Sequence, residues 1–111
     1  MPDIFVRHAE ICKTFSNSKR LEIINALRGG NEQTASELLK QIDIGKANLS
    51  QHMSVLVQKG VVNSRREGIN VFYRLSDGRI TKACDIMRDI LISRLEEEAK
   101  ALKKIKSKGI Q

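Results

Sequence analysis

Aromatic residues are scarce in this chain, which has no tryptophan, one tyrosine and three phenylalanines among 111 residues. An aromatic-rich ligand pocket is therefore not expected, and the core must be built from aliphatic side chains. The length fits one compact domain rather than two. We expect a single domain that covers residues 1–111 and carries the whole function.

Cysteines and long apolar runs are also in short supply. Cys12 and Cys84 are too few for a disulfide framework, and a reducing compartment would keep them as thiols. No apolar run approaches the roughly 18 residues that span a bilayer, and the first three residues lack the basic start of a secretory signal. The sequence predicts a cytoplasmic protein with no membrane partner.

Positive charge is in excess and is unevenly placed. Lys and Arg outnumber Asp and Glu by 20 to 13, for a net charge of +7. Residues 1–45 hold six basic and six acidic groups, whereas residues 46–76 hold five basic groups and one acidic group. A positive field favours polyanions such as nucleic acid or anionic lipid, and the excess begins at Lys46.

Apolar residues at steps of three and four predict two helices in the first 30 residues. The first runs from about Ile4 to Phe15. Asn17 or Ser18 can cap the second, and Gly29-Gly30 ends it. The apolar face of this second helix is expected to consist of Leu21, Ile24 and Leu27.

A second pair of helices follows, joined by a tight turn. Thr34 and Glu37 match a capping box at the start of a short third helix. The fourth runs from about Lys46 to Lys59, and Gly60 suits the left-handed residue that ends it. Its inward face is expected to consist of Leu49, Met53 and Leu56.

The rest of the chain predicts a small hairpin and a long helix. After Gly60 the helical period changes to a period of two, with apolar Val61-Val62 and Val71–Tyr73 on either side of a polar stretch and a turn at Gly68. Ser76 or Asp77 can cap the last helix, which has more apolar residues than one small domain can cover and so predicts a partner chain. Residues from about 103 to 111 form a basic, solvated tail.

This order of elements (α1-α2-α3-α4-β-β-α5) predicts a mainly α winged helix-turn-helix fold with a small β-hairpin. In such folds the second helix of the pair enters the major groove of DNA and the hairpin reaches the adjacent backbone. Amides, hydroxyls and a cation that can pair with bases and phosphates cover the outer side of the fourth helix. These residues are Lys46, Asn48, Ser50, Gln51, Ser54 and Gln58.

Two further positions in this segment favour DNA contact. His52 follows Gln51 and could reach a base at the groove edge, although it also borders the buried face of the helix. Arg65 and Arg66 have no matching acidic residues nearby in sequence beyond Glu67. Contact with phosphates is therefore the favoured role of the arginine pair.

The same segments resemble the ArsR family of winged helix repressors, over about Ala9 to Ile90. The similarity lies in Ser18–Ile24, Glu37-Leu38, Leu49–Met53 with Leu56, Gly60-Val61-Val62, Arg65–Gly68 and Phe72–Leu75. It implies a homodimer, built on residues 4–15 and 77–105, that binds double-stranded DNA at an inverted-repeat operator and releases it when an effector arrives. Ile69 and Asn70 stand where the family often has a basic residue, so Arg65 and Arg66 must carry more of the wing contact.

The resemblance also implies where a sensor site could lie, and this chain departs from the known ones. The positions of the family's two common metal sites hold Thr34, Ser36, Asp77, Arg79, Ile90 and Ser93, of which only Asp77 matches a ligand. Known thiol sensors of the family place a cysteine where this chain has Asn25.

His8, Cys12 and Cys84 leave three hypotheses open. The cysteines could be small core residues, they could be oxidised to a disulfide or polysulfide bridge, or they could bind a thiophilic ion such as arsenite or zinc with His8. No other cofactor is expected.

An enzyme is not expected either, because no nucleophile turn or convergent polar cluster accompanies these residues. A protein-interaction module that lacks specific DNA binding is the competing function.

Overall fold

The computed structural model describes residues 3–109. The ends of the predicted 1–111 domain, with the last two residues of the predicted basic tail, lie outside this range. The elements are α1 (Ile4–Thr14), α2 (Ser18–Ala26), a 3₁₀ turn (Arg28–Gly30), β1 (Gln33–Thr34), α3 (Ala35–Leu39), α4 (Lys46–Gln58), β2 (Val62–Glu67), β3 (Asn70–Leu75) and α5 (Arg79–Ser107). The order confirms the mainly α, winged helix-turn-helix prediction.

Local capping interactions explain where these helices begin and end. The Asn17 side chain accepts a hydrogen bond of 3.1 Å from the backbone of Arg20 at the start of α2. Thr34 and Glu37 form the reciprocal capping box of α3. Gly60, with φ of +76°, ends α4, and the amide of Val61 returns to the carbonyl of Leu56 at 2.9 Å.

The sheet has three strands rather than the two of the predicted hairpin. β3 lies in the middle and pairs antiparallel with both β1 and β2. Gln33 lies opposite Tyr73, and Thr34 lies opposite Phe72. The prediction missed β1 because two residues are too short to show an alternating pattern. Gly68, with φ of +62°, and Ile69 form the turn between β2 and β3.

The chain divides into two compact units, one up to Thr81 and one from Lys82 onward. The core of the first unit is aliphatic, as predicted, and α4 packs against α2, α3 and β2. Of the predicted α2 face, Ile24 and Leu27 are buried and Leu21 is half-buried, and the prediction missed the fully buried Ile23. Two adjacent buried residues, Ile23 and Ile24, give α2 a broader buried face than a stripe of three-four spacing. The buried apolar residues are Ile23, Ile24, Leu27, Leu38, Ile42, Leu49, Met53, Leu56, Val61, Val62 and Leu75.

Two helices leave large apolar side chains exposed. On α1 only Thr14 is buried, and Phe5 is 75% exposed. The second unit consists largely of the later turns of α5, where the exposed apolar residues are Ile86, Met87, Ile90, Leu91, Ile92, Leu95, Leu102 and Ile105. Among the described helices, none has the length and apolar character that a membrane crossing requires.

Candidate nucleic-acid interface

The outer face of α4 is a continuous polar surface. Leu49, Met53 and Leu56 hold the opposite face in the core, so the polar residues must point outward. Within residues 3–109 none of these side chains forms a hydrogen bond or ion pair, and all of their donors and acceptors remain available. This polar face consists of Lys46, Asn48, Ser50, Gln51, Ser54 and Gln58, all exposed as predicted.

The hairpin adds a cation beside this polar face. A groove between α4 and the hairpin is lined by Met53, Ser54, Val57, Gln58, Ser64 and Tyr73. Because strand side chains alternate, Arg66 shares a sheet face with Ser64, which lines the groove. Arg66 is exposed and has no ion-pair partner in the described part of the chain. Its guanidinium is therefore available to a phosphate.

Arg65 lies on the other sheet face and is already paired. Its Nε and Nη2 contact the two carboxylate oxygens of Glu32 at 2.6 and 3.0 Å, and its Nη1 contacts Glu67 at 2.7 Å. The guanidinium lies over the ring of Phe72, with its Cζ atom 4.6 Å from the ring centroid. Hydrogen bonds to Glu32 and then Glu67 raise the pKa of Arg65, and the bond from Arg65 lowers the pKa of Glu32.

The sequence offered only Glu67 as an acidic partner near the arginines, and the structure adds Glu32. Glu32 lies 33 positions before Arg65 in sequence. It reaches the hairpin because β1, which follows Glu32 directly, pairs with β3. No local pattern could reveal this contact, since the strand that creates it was itself too short to predict.

His52 is held by Arg20, a residue 32 positions earlier that no sequence pattern links to it. Its Nδ1 accepts a hydrogen bond of 3.2 Å from Nε of Arg20 in α2, and its ring is half-buried. Burial, and then the charge of Arg20, lower the pKa of His52. The histidine thus lies at the edge of the polar face, where it also contacts α2.

The candidate sensor residues differ in their exposure. Cys12 is exposed on α1, so the hypothesis that it is a core residue does not hold within one chain. His8, one turn earlier, is exposed too, whereas Cys84 on α5 is half-buried. No group of three or more His, Cys, Asp or Glu residues that could hold a metal ion occurs within residues 3–109.

The structure is a helix-turn-helix followed by a hairpin. The outward polar side chains of its second helix, α4, make no hydrogen bonds within residues 3–109, and the hairpin presents the exposed Arg66. This combination defines a winged helix DNA-binding protein. The sequence model described as "Bacterial regulatory protein, arsR family" matches residues 17–64. The chain is similar to the "Biofilm growth-associated repressor" of Xylella fastidiosa, with 35% identity over 82 residues, which cover 74% of this chain and 71% of that protein.

Two other proteins are similar over comparable lengths. The "Transcriptional activator HlyU" of Vibrio cholerae is 32% identical over 77 residues, which cover 69% of this chain and 70% of the relative. The crystal structure of Rv0081 from Mycobacterium tuberculosis superposes with a TM-score of 0.76 and 28% identity, covering 89% of this chain and 99% of that one. The chain therefore belongs to the ArsR family and is a DNA-binding transcriptional regulator.

Proposed function

We propose that this protein represses transcription from the cytoplasm by binding an inverted-repeat operator in double-stranded DNA as a homodimer. The observation that carries the proposal is the polar face of α4, whose six side chains are exposed and unpaired within residues 3–109 beside the free Arg66. When DNA covers this surface its donors and acceptors must find new partners, and the major groove offers donors and acceptors to these groups.

The residues of the interface are assigned different tasks. Asn48, Ser50, Gln51 and Ser54 read base edges, with His52 at the margin of the groove, while Lys46 and Arg66 contact phosphates. Arg65 is bound to two carboxylates in the free protein, so it can contact a phosphate only by exchanging one of them. Its main task is to hold the hairpin against the segment that contains Glu32.

The homodimer would cover the exposed apolar faces of α1 and α5. Phe5 on α1 and Leu91 on α5 are 75% and 55% exposed in the single chain. An apolar surface of this extent marks an interface. The single winged helix domain would thus dimerise through residues of about 4–15 and 77–105, while its basic tail stays solvated.

The effector that releases the operator would act at the cysteines. Exposure of Cys12 beside the apolar face of α1 supports this, because a change there would alter the dimer contact. Two chemistries are compatible with the residues: oxidation of Cys12 and Cys84 by an effector that is itself the two-electron oxidant, or binding of a thiophilic metal or metalloid by these thiols and His8. A repressor without cysteine sensing is the alternative.

The assigned tasks can be separated by operator binding over a range of salt concentrations. Gln51→Ala should weaken operator binding and leave random DNA unaffected, because it removes a base contact worth about 1–3 kcal/mol. Arg66→Gln should weaken binding to both and reduce the salt slope by about one.

Lys106→Ala is the matched control, since it removes one positive charge from an exposed residue outside both the polar face and the proposed dimer interface. It should change neither the sequence preference nor the salt slope. An equal loss on operator and random DNA in all three variants would contradict the assignment. A wild-type protein that binds no DNA would refute the proposed function itself.

A further inference from the structure

One guanidinium joins three helices behind the polar face. Arg20 lies in the first turn of α2, where Asn17 caps the helix. Its Nε donates to Nδ1 of His52 on α4 at 3.2 Å, and its Nη1 donates to the backbone carbonyl of Thr14 at the end of α1 at 3.4 Å. The position of α4 is thus tied to α2 and to the last turn of α1 through one side chain.

The chemistry of Arg20 determines the protonation state that this contact requires. An arginine side chain can only donate hydrogen bonds and remains charged at any physiological pH. The Nδ1 atom of His52 must therefore carry a lone pair, and the neutral ring has its proton on Nε2. Within residues 3–109 no acidic side chain forms an ion pair with His52, and Arg20 on α2 is the charged group that acts on it.

We propose that Arg20 and His52 are positioning residues, which hold α4 in place for DNA binding, and that protonation of His52 releases α4 from α2 and the end of α1. The inference rests on the proposed function and deepens it. A proton on Nδ1 would face the N–H of Arg20, so donor would oppose donor and positive charge would oppose positive charge. The hydrogen bond cannot persist in that state.

The direction of the pH dependence separates this role from direct DNA contact. If His52 mainly contacted phosphates or base acceptors, protonation would add a charge and a donor, and binding would tighten as the pH falls. If His52 mainly positions α4, binding weakens as the pH falls, because neutral His52 is the form that accepts from Arg20. Burial and Arg20 lower the pKa of His52, so the loss begins below its ordinary value of 6.5.

The test is operator affinity at constant ionic strength between about pH 7.5 and pH 5.5. Wild type should lose affinity by about tenfold, as expected for one charge-assisted hydrogen bond. His52→Gln should bind with little pH dependence, because the amide oxygen can accept from Arg20 at either pH. His8→Gln removes the chain's other histidine, and without metal present its affinity should fall with pH as steeply as that of wild type, whatever its absolute affinity.

A second measurement needs no DNA. Imidazole nitrogen NMR of the free protein should show His52 with its proton on Nε2, and Arg20→Met should raise the pKa of His52 toward its ordinary value. A proton on Nδ1, or a wild-type affinity that stays flat or rises at low pH, would overturn the positioning role alone. Absence of binding at every pH would overturn the proposed function and this role with it.

Discussion

Two neighbouring arginines of the hairpin have opposite surroundings. Arg65 is bound by Glu32 and Glu67 above the ring of Phe72, whereas Arg66 is exposed and free within residues 3–109. Alternation along β2 alone places them on different sides of the sheet. Identical side chains one residue apart therefore contribute differently, one to the structure of the hairpin and the other to its charge.

Arg65→Gln should loosen the hairpin, whereas Arg66→Gln should not. The pair of Arg65 with Glu32 is partly exposed, so its loss should weaken the hairpin only modestly. Amide hydrogen exchange in β1 and β2 should accelerate about two- to fivefold in Arg65→Gln. Glu32→Gln should reproduce the effect, and Arg66→Gln is the charge-matched control. Equal acceleration in Arg65→Gln and Arg66→Gln would contradict the division between them.

At the scale of the elements, sequence patterns predicted the helices because their signals are local. A capping box needs only Thr34 and Glu37, and the end of α4 needs only one residue, Gly60, in the left-handed conformation. The same patterns missed β1, whose two residues acquire their strand geometry from pairing with β3. They missed the Arg65–Glu32 and Arg20–His52 contacts for the same reason, since both connect residues more than 30 positions apart.

Thr34 caps α3 and also lies in β1, so its side chain stabilises the junction between them. Its Oγ1 accepts from the backbone of Glu37 at 3.2 Å, while Glu37 accepts from the backbone of Thr34 at 3.0 Å. Thr34→Ala should lower the free energy of unfolding by about 1 kcal/mol, measured by chemical denaturation. Ser36→Ala, in the same helix but outside the cap, should cost much less. A comparable loss in Ser36→Ala would argue against the capping explanation.

At the scale of the whole molecule, the proposed DNA-binding residues and the long series of exposed apolar side chains lie on different parts of the chain. The polar face of α4 and the hairpin belong to the unit that ends at Thr81, and the long apolar series belongs to α5. Sequence patterns predicted the polar face and the apolar series, because each is a property of helical periodicity. Periodicity alone did not indicate that α1, despite its apolar face, would be exposed along nearly its whole length; only the family resemblance, which implies a dimer contact there, pointed to it.

Leu91→Glu should convert the proposed homodimer to monomers and abolish tight operator binding, because a charge cannot be buried unpaired in an apolar interface. Molar mass from light scattering measures the first effect. Ile69→Glu is the control for mass, since Ile69 is 97% exposed at the tip of the hairpin, outside the proposed interface. A dimeric Leu91→Glu protein, or a monomeric wild type, would contradict the proposed interface.

The junction between α4 and the hairpin has a consequence for protein engineering. The amide of Ser76 bonds to the carbonyl of Val61 at 3.0 Å, and the Ser76 hydroxyl bonds to the carbonyl of Gly60 at 2.7 Å. These contacts close residues 60–76 into a loop whose two ends meet just after the last turn of α4. A chimera with altered operator preference should therefore exchange α4 and the hairpin together, because a graft of α4 alone would separate the helix from the hairpin that matches it.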